Sequence, residues 1–291
     1  MSRLFLRLAI LLLAAAALAG CSGTRLAYNN ADTLVRWMAD DYFALEGLQE
    51  DDFKARLARF HAWHRSRELP RYSLLLASAG DQLADGLTAQ ELRWAVDAVK
   101  ARYLRLAAQA APELAAVLAT LTPAQFERLD RKFAETDAAY LKKNIKGGEP
   151  EQRKRRSKRN LDLMRDWFGD LSTEQETQLN RWNDKMPLLY ELRLQNRQRR
   201  QSEFVAMLRQ YRSAAELEPA LRLWLTDWEA GADAEYRRRS DLHQEQYMQM
   251  LLELDRGITP AQRAHAVTRL HEYAELFKAL AGQNKPAGSG S

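Results

Sequence analysis

The same local pattern marks the starts of four helices in this sequence. A hydroxyl-bearing residue stands at each start, and a Glu or Gln follows three residues later. The segments are Thr88-Ala89-Gln90-Glu91, Thr122-Pro123-Ala124-Gln125, Ser172-Thr173-Glu174-Gln175 and Thr259-Pro260-Ala261-Gln262. In such a capping box the hydroxyl accepts from the backbone amide three residues on, and the Glu or Gln accepts from the amide of the first residue. A chain with these signals is constrained to fold from helices.

The residues between these starts favour long helices. Leu, Ala, Arg, Glu and Gln dominate, and no stretch shows the Val, Ile and Thr alternation of a strand. We therefore predict an all-α protein, an elongated bundle of long antiparallel helices and helical hairpins. Glycine and proline number only 13 and 8 among 291 residues, so their positions predict the breaks. We expect a helix end at Pro70, a loop over 80–86, a break or kink at Pro112, and a turn over 147–150.

The N-terminus has the order of a signal peptide. Arg3 and Arg7 precede an apolar run from Leu8 to Ala19, which is too short to span a bilayer. The segment Leu18-Ala19-Gly20-Cys21 resembles a bacterial lipobox. That resemblance implies cleavage after Gly20, diacylglycerol on the Cys21 sulfur and acylation of the new amine. The alternative is an ordinary signal peptide with a chance cysteine.

Cys21 is the only cysteine, so a mature chain lipidated there has no thiol for a disulfide or for catalysis. Ser22 follows where an Asp would resemble an inner-membrane retention signal, which favours the outer membrane, facing the periplasm. The predicted organisation is a cleaved signal peptide (1–20), a short lipidated tether (21–27), a single all-α domain (28–282) and a disordered tail (283–291).

Two of the capping boxes resemble a known periplasmic motif. Leu121-Thr122-Pro123-Ala124-Gln125 and Leu171-Ser172-Thr173-Glu174-Gln175 resemble the LTxxQ motif of the Spy/CpxP proteins, and Ile258-Thr259-Pro260-Ala261-Gln262 is a weaker copy. The resemblance implies an all-α protein linked to envelope stress, which acts as an ATP-independent chaperone or inhibits a sensor kinase.

A likeness over the whole length is to an uncharacterised family of proteobacterial lipoproteins. Two segments carry it, Arg25-Leu26-Ala27-Tyr28-Asn29-Asn30 and Trp63-His64-Arg65-Ser66-Arg67-Glu68-Leu69-Pro70-Arg71-Tyr72. That family has no established activity, so the likeness implies a lipoprotein and leaves the mechanism open.

The strongest charge feature lies between residues 142 and 159, where nine Lys or Arg stand against Glu149 and Glu151. We expect a basic binding surface, formed by Arg153, Lys154, Arg155, Arg156, Lys158 and Arg159. Lipopolysaccharide phosphates, anionic phospholipid or acidic client proteins are its expected ligands, because a secreted protein rarely meets nucleic acid. A second stretch, over 193–200, can line the same face. The alternative is a solvated tip of a helical hairpin.

The segment around Pro70 holds the other candidate residues. His61 and His64 share a helix face with Glu68 one turn on, a spacing that can hold a metal, although zinc sites need three or four ligands. The simpler interpretation is a packed helix surface. Arg65, Arg67, Glu68 and Arg71 surround Pro70. This helix end can bind a carboxylate or phosphate, or form an internal ion-pair network that orients two helices.

No nucleotide-binding glycine loop, G-x-S-x-G or H-E-x-x-H motif occurs. The sequence therefore favours a membrane-anchored, non-enzymatic helical binding protein without a cofactor, chaperone-like or related to envelope stress, which binds a client or partner protein. The first alternative is a structural or assembly lipoprotein with one dedicated protein partner. The second is a metal protein or enzyme at His61 and His64.

Overall fold

The computed structural model describes residues 20–283, and within this range the chain forms helices and no strand, as predicted. The elements are α1 (Gly20–Asn29), α2 (Ala31–Phe43), α3 (Leu48–Trp63), a π-helical turn (His64–Glu68), α4 (Leu69–Ala84), α5 (Ala89–Leu118), α6 (Pro123–Tyr140), a second π-helical turn (Leu141–Ile145), α7 (Gly148–Phe168), α8 (Thr173–Lys185), α9 (Tyr190–Gln210), α10 (Ala214–Thr226), α11 (Ala234–Gly257) and α12 (Pro260–Gly282). None of these described helices is long and apolar enough to cross a membrane.

The predicted signal peptide and the predicted disordered tail lie outside the described residues, apart from Gly20 and Gln283. The four predicted capping boxes are all present. They begin α5, α6, α8 and α12, and in each the hydroxyl and the Glu or Gln make both reciprocal hydrogen bonds. The local chemistry of these segments therefore fixes where four helices begin.

The glutamines of two capping boxes also bind each other. Gln175 Nε2 donates to Gln262 Oε1 at 2.8 Å, and Gln262 Nε2 donates to Gln175 Oε1 at 3.0 Å. Each amide also donates to the carbonyl just before the partner's motif, at Gly257 (2.9 Å) and Asp170 (2.6 Å) respectively. Both glutamines are buried. We call this reciprocal arrangement a glutamine clasp, and it joins the starts of α8 and α12.

A second glutamine clasp joins α3 and α6 with the same pattern. Gln125 Nε2 donates to Gln49 Oε1 at 2.8 Å, and Gln49 Nε2 lies 3.3 Å from Gln125 Oε1. The two amides also donate to the carbonyls of Ala44 (3.1 Å) and Thr120 (2.7 Å), again just before the partner's motif. Gln49 ends the segment Leu45-Glu46-Gly47-Leu48-Gln49, a copy that sequence analysis missed because it has no hydroxyl at its second position.

Within the described residues, buried apolar side chains form three clusters. The largest joins α2, α5, α6, α9 and α10 and includes Leu129, Phe204, Leu208 and Leu217. The second joins α1, α4 and α12 around Leu69 and Leu280. The third joins α7, α8 and α11 around Leu179, Met186 and Met250. Each cluster unites helices distant in sequence, so tertiary packing holds the layout that the caps begin.

The predicted loop over 80–86 is wrong for most of its length, because α4 continues to Ala84. Gly80 lies inside α4, where a Cβ atom would stand 2.6 Å from His271 Nε2 of α12. Asp81 contacts His271, and the carbonyl of Leu83 accepts from Arg263, so α4 and α12 run antiparallel. Glycine is needed here for the close approach of two helices rather than for a turn.

The predicted helix end at Pro70, which was based on the missing N–H of proline, is wrong. Instead, α3 passes through the π-helical turn His64–Glu68 into α4, and Pro70 lies in the first turn of α4. The Leu69 amide donates to His64 O, five residues back, and this wider turn accommodates the proline. As a result, Arg65 and Glu68 both point inward and are buried.

The predicted break at Pro112 is also absent, since α5 is continuous through it. Ala107, Ala111 and Ala115 are buried on α5 in one cluster with Leu217 of α10. Packing on both sides of Pro112 therefore outweighs the lost hydrogen bond. The predicted turn over 147–150 is shorter than expected: Gly147 has a φ of 96°, and α7 begins at Gly148.

The clasp between Gln175 and Gln262 makes a quantitative prediction. We expect Gln175→Ala and Gln262→Ala each to lower the free energy of unfolding by about 1–3 kcal/mol, because each removes a cap bond of its own helix and the amide bonds of a buried glutamine pair. The double variant should lose about 0.5–3 kcal/mol less than the sum, because the two amides share their bonds. Urea unfolding followed by circular dichroism measures this. Gln244→Ala, on the exposed side of α11, is the control, and strictly additive losses would contradict the clasp.

Candidate functional site

The two segments that carry the lipoprotein likeness contact each other. Tyr28 Oη and His64 Nδ1 are 2.9 Å apart, and Arg65 Nη2 donates to Asn29 Oδ1 at 3.0 Å. The Arg65 guanidinium lies 5.0 Å from the centre of the Tyr28 ring and also donates to Leu280 O at 3.1 Å. We call this contact the anchor junction, because it joins α1, which carries Cys21, to the first turn of the π-helical segment and to the end of α12.

Aromatic rings surround the anchor junction. The Tyr28 and His61 ring centres are 4.9 Å apart, and those of His64 and Tyr72 are 5.5 Å apart. Burial lowers the pKa of His64 to about 4, and the nearby His61 and Arg65 add to this effect. Burial also raises the pKa of Tyr28 and of Tyr72. His64 is therefore neutral at pH 7 and acts as a packed ring with one hydrogen bond.

Glu68 is the centre of an ion-pair network. Its carboxylate is fully buried and lies 2.8 Å from Arg71 Nη1, 2.6 Å from Arg105 Nε and 3.6 Å from Arg102 Nη1. The network joins the π-helical turn to α5, in agreement with the interpretation of this segment as an internal ion-pair network. Arg67 is exposed and is not part of it. Between residues 20 and 283, no group of three His, Cys, Asp or Glu side chains lies close enough to hold a metal ion, so His61, His64 and Glu68 do not form such a group.

The predicted basic surface is divided by the fold. Arg156 is only 5% exposed and donates to the carbonyls of Asn183, Met186 (3.0 Å) and Pro187 (2.9 Å), where α8 ends. This position corrects its prediction as a surface residue, because the C-terminal carbonyls of a helix have no partner within the helix and attract a buried donor.

The other candidates in this run behave in two ways. Arg153 donates to Asp184 O at 2.6 Å and pairs with Glu149, while Arg155 donates to Lys146 O at 2.9 Å. Lys154 and Lys158 are exposed, and Lys158 pairs with Asp162 at 3.1 Å. The arginines of this run therefore close helix ends and turns, and the exposed positive charge is smaller than the sequence suggests.

Of the second basic stretch, only Arg193 lines a surface together with the first, in the basic pocket where α7 and α9 meet. Arg197 pairs with Asp137 of α6 at 2.6 Å, and Arg199 pairs with Glu203 on its own helix. Arg200 is buried, lies 4.4 Å from the ring centre of Trp224, and donates to the Trp224 carbonyl near the end of α10. The physical reason is the same as for Arg156, since a guanidinium satisfies several carbonyls at a helix end.

A small basic pocket remains where α7, α9 and α11 meet. Its volume is about 150 Å³, and its polar lining comes from Arg156, Arg159, Asn160, Tyr190, Arg193, His243 and Tyr247. Arg159 Nη2 donates to Tyr190 Oη at 2.6 Å. None of the residues that line the pocket is acidic. Arg156 and Arg159 of the predicted run over 142–159 contribute to it, together with Arg193 of the second stretch.

A wider cavity than this pocket is an open groove of about 670 Å³ between α6 and α9. Phe133 and Val205 are buried at its floor. Exposed small or apolar residues line both walls, namely Ala134, Ala138 and Leu141 on one side and Ser202 and Ala206 on the other. An ion pair between Asp130 and Arg209 (3.1 Å) crosses from one helix to the other. The groove is lined by apolar and small residues together with the polar side chains of Asp137 and Gln201, which bind each other, and of Asp130, Gln198 and Arg209.

A family model matches residues 41–237, which is more than half of the chain. The chain belongs to DUF6279, a family of unknown function. The expected membership of an uncharacterised family is thus confirmed. No curated protein and no solved structure matches the chain.

The part of the chain that matches DUF6279 contains Glu68, the basic pocket residues on α7 and α9, and both walls of the groove. Sequence analysis of this DUF6279 protein missed the groove, because Ala134, Ala138 and Ala206 carry no chemical signal. It also missed Tyr190, His243 and Tyr247, which lie up to about ninety residues from Arg156 and meet it only through tertiary packing.

His64 gives the stability of this DUF6279 protein a pH dependence. The unfolded chain protonates His64 below about its ordinary pKa of 6.5, whereas the folded chain does so only near pH 4. The free energy of unfolding therefore falls as the pH drops between these values, by at most about 1.4 kcal/mol per pH unit for this group. We expect His64→Gln to reduce that slope in urea unfolding from pH 7 to pH 4.5. His265→Gln, at an exposed position of α12, is the control, and a slope unchanged by His64→Gln would refute the assignment.

Proposed function

We propose that this DUF6279 protein is a lipid-anchored, non-enzymatic binding protein of the bacterial envelope, which binds a helical segment of one protein partner in the groove between α6 and α9. The observation that carries the proposal is the groove itself, with its apolar floor at Phe133 and Val205 and its small, exposed wall residues. The lipobox at Cys21 supplies the expected anchor, in the outer membrane and facing the periplasm.

The anchor junction supports a fixed orientation at the membrane. Tyr28 and Asn29 lie one to two turns after Cys21 and bind His64 and Arg65 of the folded body. Because α1 is helical from Gly20, about 1.5 Å of rise per residue holds the body roughly 10 Å from the lipidated cysteine. A flexible tether would let the body tumble, whereas this contact keeps one side of it towards the bilayer.

An exposed apolar face next to Cys21 fits a lipid surface. Leu26 on α1 is 67% exposed, and Leu34 and Trp37 on α2 are 44% and 66% exposed. Leu34 and Trp37 are three residues apart and therefore lie on one side of α2. Arg25 and Arg36 stand beside Leu26 and Trp37 and are also exposed. Trp is enriched at membrane interfaces, and basic residues are attracted by anionic headgroups. We assign this face to the bilayer that holds the Cys21 lipid, which adds a second attachment to the acyl chains.

A helix is the occupant that suits the groove. Ala134 and Ala138 are one turn apart on α6, and Ser202 and Ala206 are one turn apart on α9. Small side chains at this spacing let the backbone of a third helix approach closely, and an amphipathic helix can place its apolar stripe on Phe133 and Val205. The polar margin at Asp130, Gln198 and Arg209 then faces the polar side of that helix.

A dedicated partner is favoured over a broad chaperone-like surface. A general client-binding surface would combine the basic run with exposed aromatic side chains, but Arg153, Arg155 and Arg156 bind backbone carbonyls instead. The groove is a single lined cavity of defined position. Such a site supports recognition of one segment. The alternative is a chaperone-like or envelope-stress function, and the crosslinking experiment below distinguishes the two.

Lipidation at Cys21 is tested by fractionation. We expect the full-length protein to sediment with membranes and to partition into detergent, and Cys21→Ser to move to the soluble periplasmic fraction or to persist as an unprocessed precursor. Ser22→Ala is the matched control, because it removes the neighbouring hydroxyl and leaves the cysteine. Metabolic labelling with an alkyne-bearing palmitate should mark the native protein and not Cys21→Ser. Equal labelling of both proteins would disprove the anchor.

The groove is tested by crosslinking in intact cells. A photoreactive phenylalanine analogue at Ala138, which lines the groove, should give one discrete adduct, because a single partner helix lies over it. The same residue at Ala139, exposed on α6 but outside the groove, is the matched control. Ala206→Arg should abolish the adduct from position 138 while circular dichroism stays unchanged, since the long side chain fills the groove.

Equal adducts from positions 138 and 139 would refute the groove as a binding site. A ladder of many adducts from position 138 alone, together with suppression of aggregation of an unfolding client, would replace the dedicated partner with a chaperone-like function. Mass spectrometry of the adduct identifies the crosslinked segment, which we expect to be an amphipathic helix.

A further inference from the structure

We propose that the pocket between α7, α9 and α11 binds a compact, phosphate-like anion. This site is separate from the groove in its lining residues. Arg156, Arg159 and Arg193 contribute three guanidinium groups to its wall, and no acidic residue lines it. This lining gives the cavity a positive potential, which favours an anion.

The burial of Arg156 strengthens the argument. Within the described residues, neither Arg156 nor Arg159 forms an ion pair, and the hydrogen bonds of Arg156 go to uncharged carbonyls. Its Nε atom is buried and donates to no other group of the described chain. Burial lowers the pKa of Arg156, because a desolvated cation is costly, and this effect outweighs the opposing influence of Tyr190 and of the Asp184 carboxylate. A bound anion would offset this cost.

The donors suit a tetrahedral oxyanion. Guanidinium groups bind phosphate through parallel N–H···O bonds, and tyrosine hydroxyls add further donors. Arg159 is exposed and donates to Tyr190 through one Nη atom, which leaves its other N–H groups available to an anion. The pocket volume is about 150 Å³. Cavities of about this volume admit a molecule the size of benzene, so a phosphate group fits and a polymer does not.

Of the predicted basic run over 142–159, the proposed anion site uses only Arg156 and Arg159. Lys154 and Lys158 are exposed away from the pocket lining, and Arg153 and Arg155 close turns. The anion can be free inorganic phosphate or the phosphate of a lipid headgroup, because both present the same terminal oxygens. The pocket would then sense or hold a phosphate group at the surface of the envelope protein.

Thermal unfolding of the full-length protein in neutral detergent tests the pocket. Inorganic phosphate is titrated against chloride at constant ionic strength and pH 7, so that general screening is equal in both series. We expect phosphate to raise the Tm in a saturable way, as a ligand that binds only the folded state does. Arg159→Gln should weaken the apparent phosphate affinity by about tenfold or more, since it removes a charged donor.

Lys158→Gln is the matched control, because it removes one positive charge from the adjacent position of α7 without touching the pocket. The inference is overturned if phosphate has no saturable effect on the native protein, or if Lys158→Gln weakens the effect as much as Arg159→Gln. A second titration, with phosphatidic acid dissolved in micelles of the neutral detergent, distinguishes a lipid headgroup from free phosphate as the ligand. Competition between these micelles and inorganic phosphate assigns the pocket to lipid headgroups, and phosphate binding without competition assigns it to the free anion.

Discussion

The reciprocal amide pair of two glutamines is the interaction on which the layout of this protein depends. Gln125, Gln175 and Gln262 each complete the cap of their own helix, whereas Gln49 makes no cap bond to α3. All four donate to the carbonyl that precedes the partner's motif. In low dielectric, such a closed network is worth more than its separate bonds, and a half-satisfied one is costly. The Gln175–Gln262 and Gln49–Gln125 pairs therefore fix where four helices begin and which of them lie side by side. The three apolar clusters then pack around helices whose starting points are already set.

Buried arginines satisfy backbone groups at the C-terminal ends of helices, as the glutamines do at the N-terminal starts. Arg156 binds the last carbonyls of α8, and Arg200 binds those of α10, both from buried positions on other helices. The partial negative charge of a helix C-terminus attracts these cations and partly repays their desolvation. Arg65, Arg156 and Arg200 are thus buried in a chain with a formal charge of +5. This use of arginine leaves the small pocket at Arg156 and Arg159 as a concentrated site rather than a broad surface.

The sequence predicted what local chemistry determines and missed what distance in sequence determines. The boxes at Thr88, Thr122, Ser172 and Thr259 were correct because each cap needs only four consecutive residues. Pro70 and Gly80 were misread because their usual local roles were overridden by a π-helical turn and by a close helix crossing. No local pattern could have paired Gln175 with Gln262, since 87 residues separate them. The groove could not be predicted for the same reason. Its alanines have no distinctive local pattern, and they form a groove only when α6 and α9 pack side by side.

Arg65 shows how one residue can join the two ends of the described chain. It contacts Tyr28 and Asn29 near the start and the carbonyl of Leu280 near the end, and it lies within the segment that matches DUF6279. Its guanidinium is buried because the π-helical turn before Pro70 directs it inward. The proline that appeared to end a helix therefore creates the position at which α1 and α12 are both held. Since Cys21 lies on α1, this one turn also relates the expected membrane anchor to the rest of the fold.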